Sequence, residues 1–351
     1  MPDWDTIAEQ FVDGTIVPFL GAGASSFSQG CPHPPSGIDL LKELAKRAEV
    51  NVECSGCKGP ISDLAEIASY FARVKHSRPD LDKLIHKLIG NIQYKPNPLH
   101  FLLARVAVQR PMLIITTNYD TLLEQAFDST KYNADYEVVA TAADLLAYAG
   151  VEDELGGEET VMLSGDAGVV YRRHKNDDTF NPITPDEIQV DLAKRSLIHK
   201  VHGSVARSGW GGGYLIAEED YVRFLGRIDQ PHIFPFGIRT TLCKKTRLPL
   251  GRKAMVNSLL FLGYGLADWN IRVLLGGMGI GNGKAGEERH YAILRDINPQ
   301  TKNLLEKRNF TVWENVDLER WVDEIHGALT RQGVPESRDD PDPGDDGRER
   351  K

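Results

Sequence analysis

Cysteine is scarce here. The four in 351 residues, Cys31, Cys54, Cys57 and Cys243, are spaced too irregularly for a disulfide framework. Cys54 and Cys57 make one CSGC pair, but a structural zinc site needs four ligands and the sequence has no second pair, so the two read as thiols in a loop. No apolar run approaches the ~18 residues that a membrane span requires. Positive charge is not in excess either: 41 Lys and Arg stand against 50 Asp and Glu, a net charge of -9. That balance argues against a broad face for the phosphates of DNA or RNA. The first residues, MPDWDTIAEQ, are acidic and lack a basic segment followed by an apolar one, so no secretory signal is expected and the chain reads as cytoplasmic. A Walker sequence is missing as well, because GIGNGKA around Lys284 has the wrong glycine spacing and carries Ala285 where Ser or Thr would hold magnesium.

What is present describes a folded α/β chain. Apolar residues make up 41% and charged residues 26%, and the length suits one large domain or two ordinary ones. Ile7, Phe11 and Val12 recur at helical spacing before Gly14, and TIVPFLGAGASS then runs a buried strand into a glycine turn. From Ser36 the segments GIDLLKELAKRAE, SDLAEIASYFARV and DLDKLIHKLIG place apolar residues three and four apart behind Ser or Asp caps, predicting a helical insertion over about 36–97. A helix over 98–108, a strand over 112–116 and a helix from about Asp120 follow. Further on, SLLFLGYG reads as a strand, DWNIRVLL as a helix, HYAILRD as a strand, and TKNLLEKRNFTVW as a helix and a strand. The expected fold is an open, parallel, Rossmann-like sheet flanked by helices, in one catalytic domain over 1–334. Segment 129–196 is expected to interrupt the sheet as a variable insertion, and 335–351, rich in charge and without apolar anchors, to be a disordered tail.

Ligands of open parallel sheets bind at the carboxyl ends of strands, where loops and helix N-termini converge. Three such ends carry polar or glycine-rich residues. GAGASS offers free backbone N–H groups and no side chain to block a pyrophosphate. The strand LIIT runs into Thr117, Asn118, Tyr119 and Asp120; a helix cap accounts for one polar residue there, but not for the series. SLIHKVHGS ends in His202 and Gly203, an imidazole able to titrate near neutrality beside a residue that lets a ligand approach, whereas His199 reads as a core histidine.

In this order, FLGAGAS, TTNYD, VHGS, EEDYVRFL and LLFLGYGLADWN resemble the sirtuin-like NAD-hydrolase family of prokaryotic defence proteins over roughly residues 11–330. The deacylating sirtuins carry two CxxC pairs after the catalytic histidine and a Pro-Asp-Phe-Arg element after the glycine loop. This sequence has neither. The resemblance implies that Gly21, Ala22, Gly23 and Ser25 line the NAD diphosphate, with Thr117 and Gly203 also contacting NAD. It implies that Asn118 and Asp120 border the nicotinamide and its ribose, that His202 is the general base, and that Gly263, Gly265 and Asp268 receive the adenosine end. NAD would be the substrate, and no metal is expected. The same resemblance implies an anti-phage effector that depletes NAD, a homo-oligomer, and a separate partner such as a HerA-type ATPase or a short Argonaute.

The chemistry agrees with an NAD glycohydrolase. Nicotinamide leaves NAD as a neutral ring and needs no general acid, while the ribosyl oxocarbenium left behind is stabilised by a fixed carboxylate such as Asp120. Asn118 can orient a hydroxyl or water without adding charge, and His202 can take a proton. Two other readings are a non-catalytic sensor of NAD or ADP-ribose, which His202→Ala would leave working, and an NAD-dependent deacylase, whose nicotinamide release would require an acylated peptide.

Overall fold

In the computed structural model, residues 3–26, 32–50, 63–141, 170–177, 179–205, 213–226, 233–242, 257–264, 289–294, 297 and 299–336 are described. Strand β1 (Ile16–Leu20) is buried along its whole length, and its pleat sends Ile16 and Leu20 to one apolar layer and Val17 and Phe19 to the other. A run with no polar alternation is what a strand covered on both faces requires. The layer that receives Ile16 is built from α1 (Trp4–Asp13), α5 (Pro98–Gln109), α6 (Leu122–Phe127) and α10 (Leu318–Arg331), with Phe11, Leu103, Phe127 and Trp321 at most 1% exposed. The opposite layer comes from α7 (Glu218–Gly226), α8 (Phe236–Leu242) and α9 (Pro299–Lys307). Full burial of one such large apolar side chain is worth roughly 1.5–3 kcal/mol, so Phe19, stacked on Phe261, anchors β1 from one side alone.

The remaining strands are β2 (Leu113–Thr116), β3 (Tyr136–Ala140), β4 (Val170–His174), β5 (Asn181–Ile183), β6 (Ser196–Lys200), β7 (Ser258–Leu262), β8 (His290–Leu294) and β9 (Phe310–Glu314). They form one nine-stranded sheet in the order β5-β4-β3-β6-β2-β1-β7-β8-β9. The open α/β sheet matches the expectation, and every pairing from β3 to β9 is parallel. At one edge β4 runs antiparallel to both β3 and β5, so the sheet is mixed.

That edge corrects the reading of segment 129–196 as an interruption. It contributes β3, which pairs in register with β6 from Tyr136↔Ser196 to Ala140↔Lys200, and two further strands outside it. The segment YEVVA carries a charged Glu137 among four apolar or half-apolar residues and is too short to announce a strand, and only pairing with β6 fixes it. The helices α7, α8 and α10 were not anticipated either. The CSGC pair, the DWNIRVLL segment and the tail beyond 336 lie outside the described residues.

Helices α2 (Gly37–Arg47), α3 (Leu64–Tyr70, running on as a π-helical turn over Phe71–Lys75) and α4 (Arg78–Ile89) form a third apolar cluster. Ser36 and Ser77 open α2 and α4 with full capping boxes, closed by Asp39 and Asp80 three residues on. Leu44, Ile67, Leu81 and Ile85 pack there with Tyr214, Ile216 and Ala217, residues that lead into α7. No described helix is long and apolar enough to cross a membrane.

Candidate functional site

The sheet order reverses around β1: the chain proceeds to β2 on one side and later returns to β7 on the other. A crevice outside the carboxyl ends of strands is expected at such a point. The loop after β1 and the loop after β7 meet there backbone to backbone. Gly21 N–H donates to Leu262 O at 3.0 Å and Gly23 N–H to Gly263 O at 2.9 Å, while Ala24 and Ser25 donate to Gly21 O and Ala22 O. The expectation of free N–H groups is therefore corrected for Gly21, Gly23, Ala24 and Ser25, whose donors are spent on carbonyls. Glycine is required for a different reason. A Cβ on Gly21 or Gly23 would lie 2.8 Å from Gly263 O, and Gly263 itself has φ +72°. The glycines let two loops touch.

The end of β2 is fastened to the same loop. Thr117 N–H and Thr116 Oγ1 both donate to Leu20 O at 3.1 Å, and the Thr117 hydroxyl lies 2.7 Å from the Tyr264 hydroxyl. Asn118 is turned back by its N–H bond to Thr116 Oγ1, which directs its amide over the glycine loop. Nδ2 donates to Gly21 O at 3.0 Å and to Ser25 Oγ at 3.1 Å. The carbonyl partner fixes which end of the amide is nitrogen, since Gly21 O can only accept. Ser25 passes the chain on, its hydroxyl donating to Asp120 Oδ2 at 2.9 Å, and Asp120 Oδ1 accepts from Leu122 N–H at 3.0 Å at the start of α6. Asn118, Ser25 and Asp120 thus form one hydrogen-bonded line, all buried to 9% exposure or less. Tyr119 goes the other way, its hydroxyl donating to Leu215 O at 2.7 Å and its ring meeting Tyr214 edge-on. The alternation NYD places the amide and carboxylate together and sends the phenol to the helical cluster.

His202 follows β6, which pairs with β2 up to Thr116↔Lys200. Val201 N–H donates to Thr116 O at 3.0 Å and Val205 N–H to Tyr119 O at 2.7 Å, so the HGS turn is stitched to the NYD turn on both sides of His202. Gly203 takes φ +98°, the left-handed turn conformation that favours glycine. The imidazole packs edge-on against Tyr221 and Phe224 of α7, with centroids 5.7 and 5.8 Å away. This burial lowers its pKa to about 3. The expectation of an imidazole titrating near neutrality is corrected: His202 is held neutral. His199, by contrast, is fully buried with its ring nitrogens at 3.3 Å from Val139 O and 2.9 Å from Ile233 O, a core histidine as read.

Two residues that the sequence did not single out stand behind this site. Lys200, 1% exposed, donates from Nζ to the main-chain carbonyl of Asp120 and lies 2.8 Å from Glu124 Oε1 of α6. A lysine at the end of a strand, after a histidine, carries no signal that its ammonium is buried; only the packing of α6 against it supplies that. A cavity of about 350 Å³ is lined by Thr121, Gln125, Asp128, Arg173, Lys175 and Phe180 among others. Its lining contains none of Asn118, Asp120 or His202, but it includes Glu124 and Val205, which border the turn that carries them. Gly265 and Asp268 lie outside the described residues. Among the described residues no group of three His, Cys, Asp or Glu side chains is placed to hold a metal ion.

A family model for a SIR2-like domain matches residues 112–313, more than half of the chain, and includes Asn118, Asp120, His202 and Gly263. A protein named NAD(+) hydrolase ThsA from Acinetobacter baumannii is 28% identical over 131 residues, 37% of this chain and 24% of its own length. A second NAD(+) hydrolase ThsA, from Cytobacillus dafuensis, is 23% identical over 291 residues, 82% of this chain and 43% of its own length. This chain therefore spans less than half of either relative. A solved Sir2 homolog–NAD complex is 10% identical and superposes with a TM-score of 0.33, covering 94% of this chain and 95% of the other.

Proposed function

Because this chain belongs to the SIR2-like family, we propose that it cleaves NAD to nicotinamide and ADP-ribose. The observation that carries the proposal is the line Asn118–Ser25–Asp120, on a turn whose backbone is bonded to the chain on both sides of His202. Both oxygens of Asp120 are oriented by donors, so its negative charge is fixed in place before a substrate arrives. A preoriented carboxylate stabilises the ribosyl oxocarbenium without reorganising, and the neutral leaving group asks nothing of an acid. Asn118 spends its Nδ2 hydrogens on Gly21 O and Ser25 Oγ, which leaves Oδ1 as the atom that accepts from a ribose hydroxyl or the attacking water. His202 receives the proton that this water gives up. Burial keeps the imidazole unprotonated with its lone pair open, but a pKa lowered to about 3 makes it a weak base. It therefore takes the proton late, once the water has bonded to the ribosyl cation and become strongly acidic, and then returns it to solvent.

The test is direct. The purified chain is incubated with NAD alone, and nicotinamide release is followed beside Asn118→Ala, Asp120→Asn and His202→Ala. Removal of the fixed charge is expected to lower the rate by about 10²–10³-fold, and loss of the base by about 10²–10⁴-fold. Intact NAD after prolonged incubation with folded wild-type protein, alone and with co-expressed partners, rejects the proposal.

We extend the reading to a defence effector of the cytoplasm that depletes NAD once triggered, working as a homo-oligomer or with a HerA-type ATPase or short Argonaute. The names of the two hydrolase relatives support the NAD part. Measuring cellular NAD after phage infection, with wild type and with Asn118→Ala, tests the rest: a fall confined to the wild type is expected, and equal levels in both reject it.

A further inference from the structure

We infer that Lys200 is a positioning residue for the Asp120 loop, with Glu124 as its counter-charge; the inference rests on the NAD-cleavage reading. A lysine and a glutamate are almost never fully buried unless they are paired, and here they are 1% and 2% exposed. Their oxygen and nitrogen approach to 2.8 Å, yet neither carboxylate oxygen of Glu124 has a well-directed hydrogen-bond donor, and the next cation, Arg173, is 3.9 Å away. Such a pair loses more hydration than a weakly directed contact returns, so it is a poor device for stability. The directed bond goes elsewhere, from Lys200 Nζ to the Asp120 carbonyl.

That bond decides the orientation of a peptide. Holding the Asp120 carbonyl fixes the plane leading to Thr121, and the chain then presents Leu122 N–H to Asp120 Oδ1 and leaves Oδ2 for Ser25. Glu124, on the first turns of the helix that follows, keeps the ammonium from swinging away. Lys200 also ends the strand that delivers His202 two residues later. One strand end therefore brings the proton acceptor and sets the carboxylate loop.

The experiment compares wild type with Lys200→Met, Glu124→Gln and the double variant Lys200→Met/Glu124→Leu. It records nicotinamide release, thermal unfolding and hydrogen exchange of the backbone over residues 117–123. The double variant removes both buried charges and keeps the volume apolar, so it folds even where the single change leaves Glu124 unpaired. For a positioning role, kcat falls by about 10²-fold with KM little changed, because misplacement acts on the reacting geometry. Exchange over 117–123 quickens, and the double variant recovers the unfolding temperature but not kcat. Wild-type kcat in the double variant, or unchanged exchange over 117–123 in every variant, overturns the inference. If folded wild type leaves NAD intact, the proposed activity fails while exchange still decides the role of Lys200: faster exchange supports it and unchanged exchange rejects it.

Discussion

A Cβ at Gly263 would lie 2.0 Å from the Ala24 nitrogen and 2.6 Å from the Gly23 carbonyl carbon, backbone atoms that have no rotamer with which to yield. Left-handed backbone adds roughly 1–2 kcal/mol for an L side chain, before the loops are pushed apart. Gly263→Ala is therefore expected to lower the urea midpoint by more than ~2 kcal/mol equivalent, with an unchanged m-value. A midpoint within error of wild type would mean that the two loops separate freely. At His202 the expectation concerns rate. A base with its pKa lowered to about 3 stays unprotonated well below neutrality, so kcat/KM should be flat from pH 8 down to about 5.5, without the inflection near 6.5 that an ordinary histidine gives. An inflection there that moves with a His202 substitution would contradict the burial argument. At this scale the positions of the amide, the carboxylate and the histidine before glycine could be picked from strand ends, but not the packing of α7 that holds the imidazole neutral. Lys200 and Glu124 could not, because a charged residue reads as solvated until a distant partner is known.

Between elements, the joint that bears on the site is the one between α4 and α7. The Arg78 guanidinium reaches both oxygens of Asp220 at 2.7 and 2.8 Å and also bonds Asp82 and Tyr214 O. Burial works against its charge, but Asp220 and Asp82 outweigh that and raise its pKa. Asp220 in turn accepts from Ile216 and Ala217 N–H, which fixes the entry to α7, the helix that presents Tyr221 and Phe224 to His202. Arg78→Met would strand a carboxylate that is 1% exposed, at a cost of about 3–5 kcal/mol. The expected result is a lower unfolding temperature with hydrogen exchange quickened in α7 and α4 and little changed in β1 and β2; uniform quickening would show that the joint is not local. Helices α2 to α5 were legible because their caps and three-and-four spacing are local. Strand β3 and helix α7 were not, since each takes its identity from what packs on it: β6 beside YEVVA, and the Arg78 cluster over EEDYVRFLG.

For the molecule as a whole, acid should be the weakness. His100 and His202 are lowered to about 3, and His199 and His290 to about 4, with burial the first cause in each case. The unfolded chain protonates these rings near pH 6.5 and the folded one does not. Stability is therefore full above about 6.5 and is lost as pH falls toward 4, by up to about 1.4 kcal/mol per pH unit for each histidine. A scan of unfolding temperature from pH 7.5 to 5 is expected to be level at first and then to fall steeply; a level trace to pH 5 would contradict the four burials together.

The central strand carries one more consequence, concerning time. β1 is made early, yet its neighbours begin at Leu113 and Ser258, and Gly263 closes against Gly23 only after β7 exists. At ~5–20 residues per second, a ribosome needs on the order of ten seconds or more to travel from one to the other. In the last part of that interval, once His202 has been made, the nascent chain owns its asparagine, aspartate and histidine but still lacks the Gly263 loop. Whatever this protein does to its ligand, translation withholds it until the seam has closed.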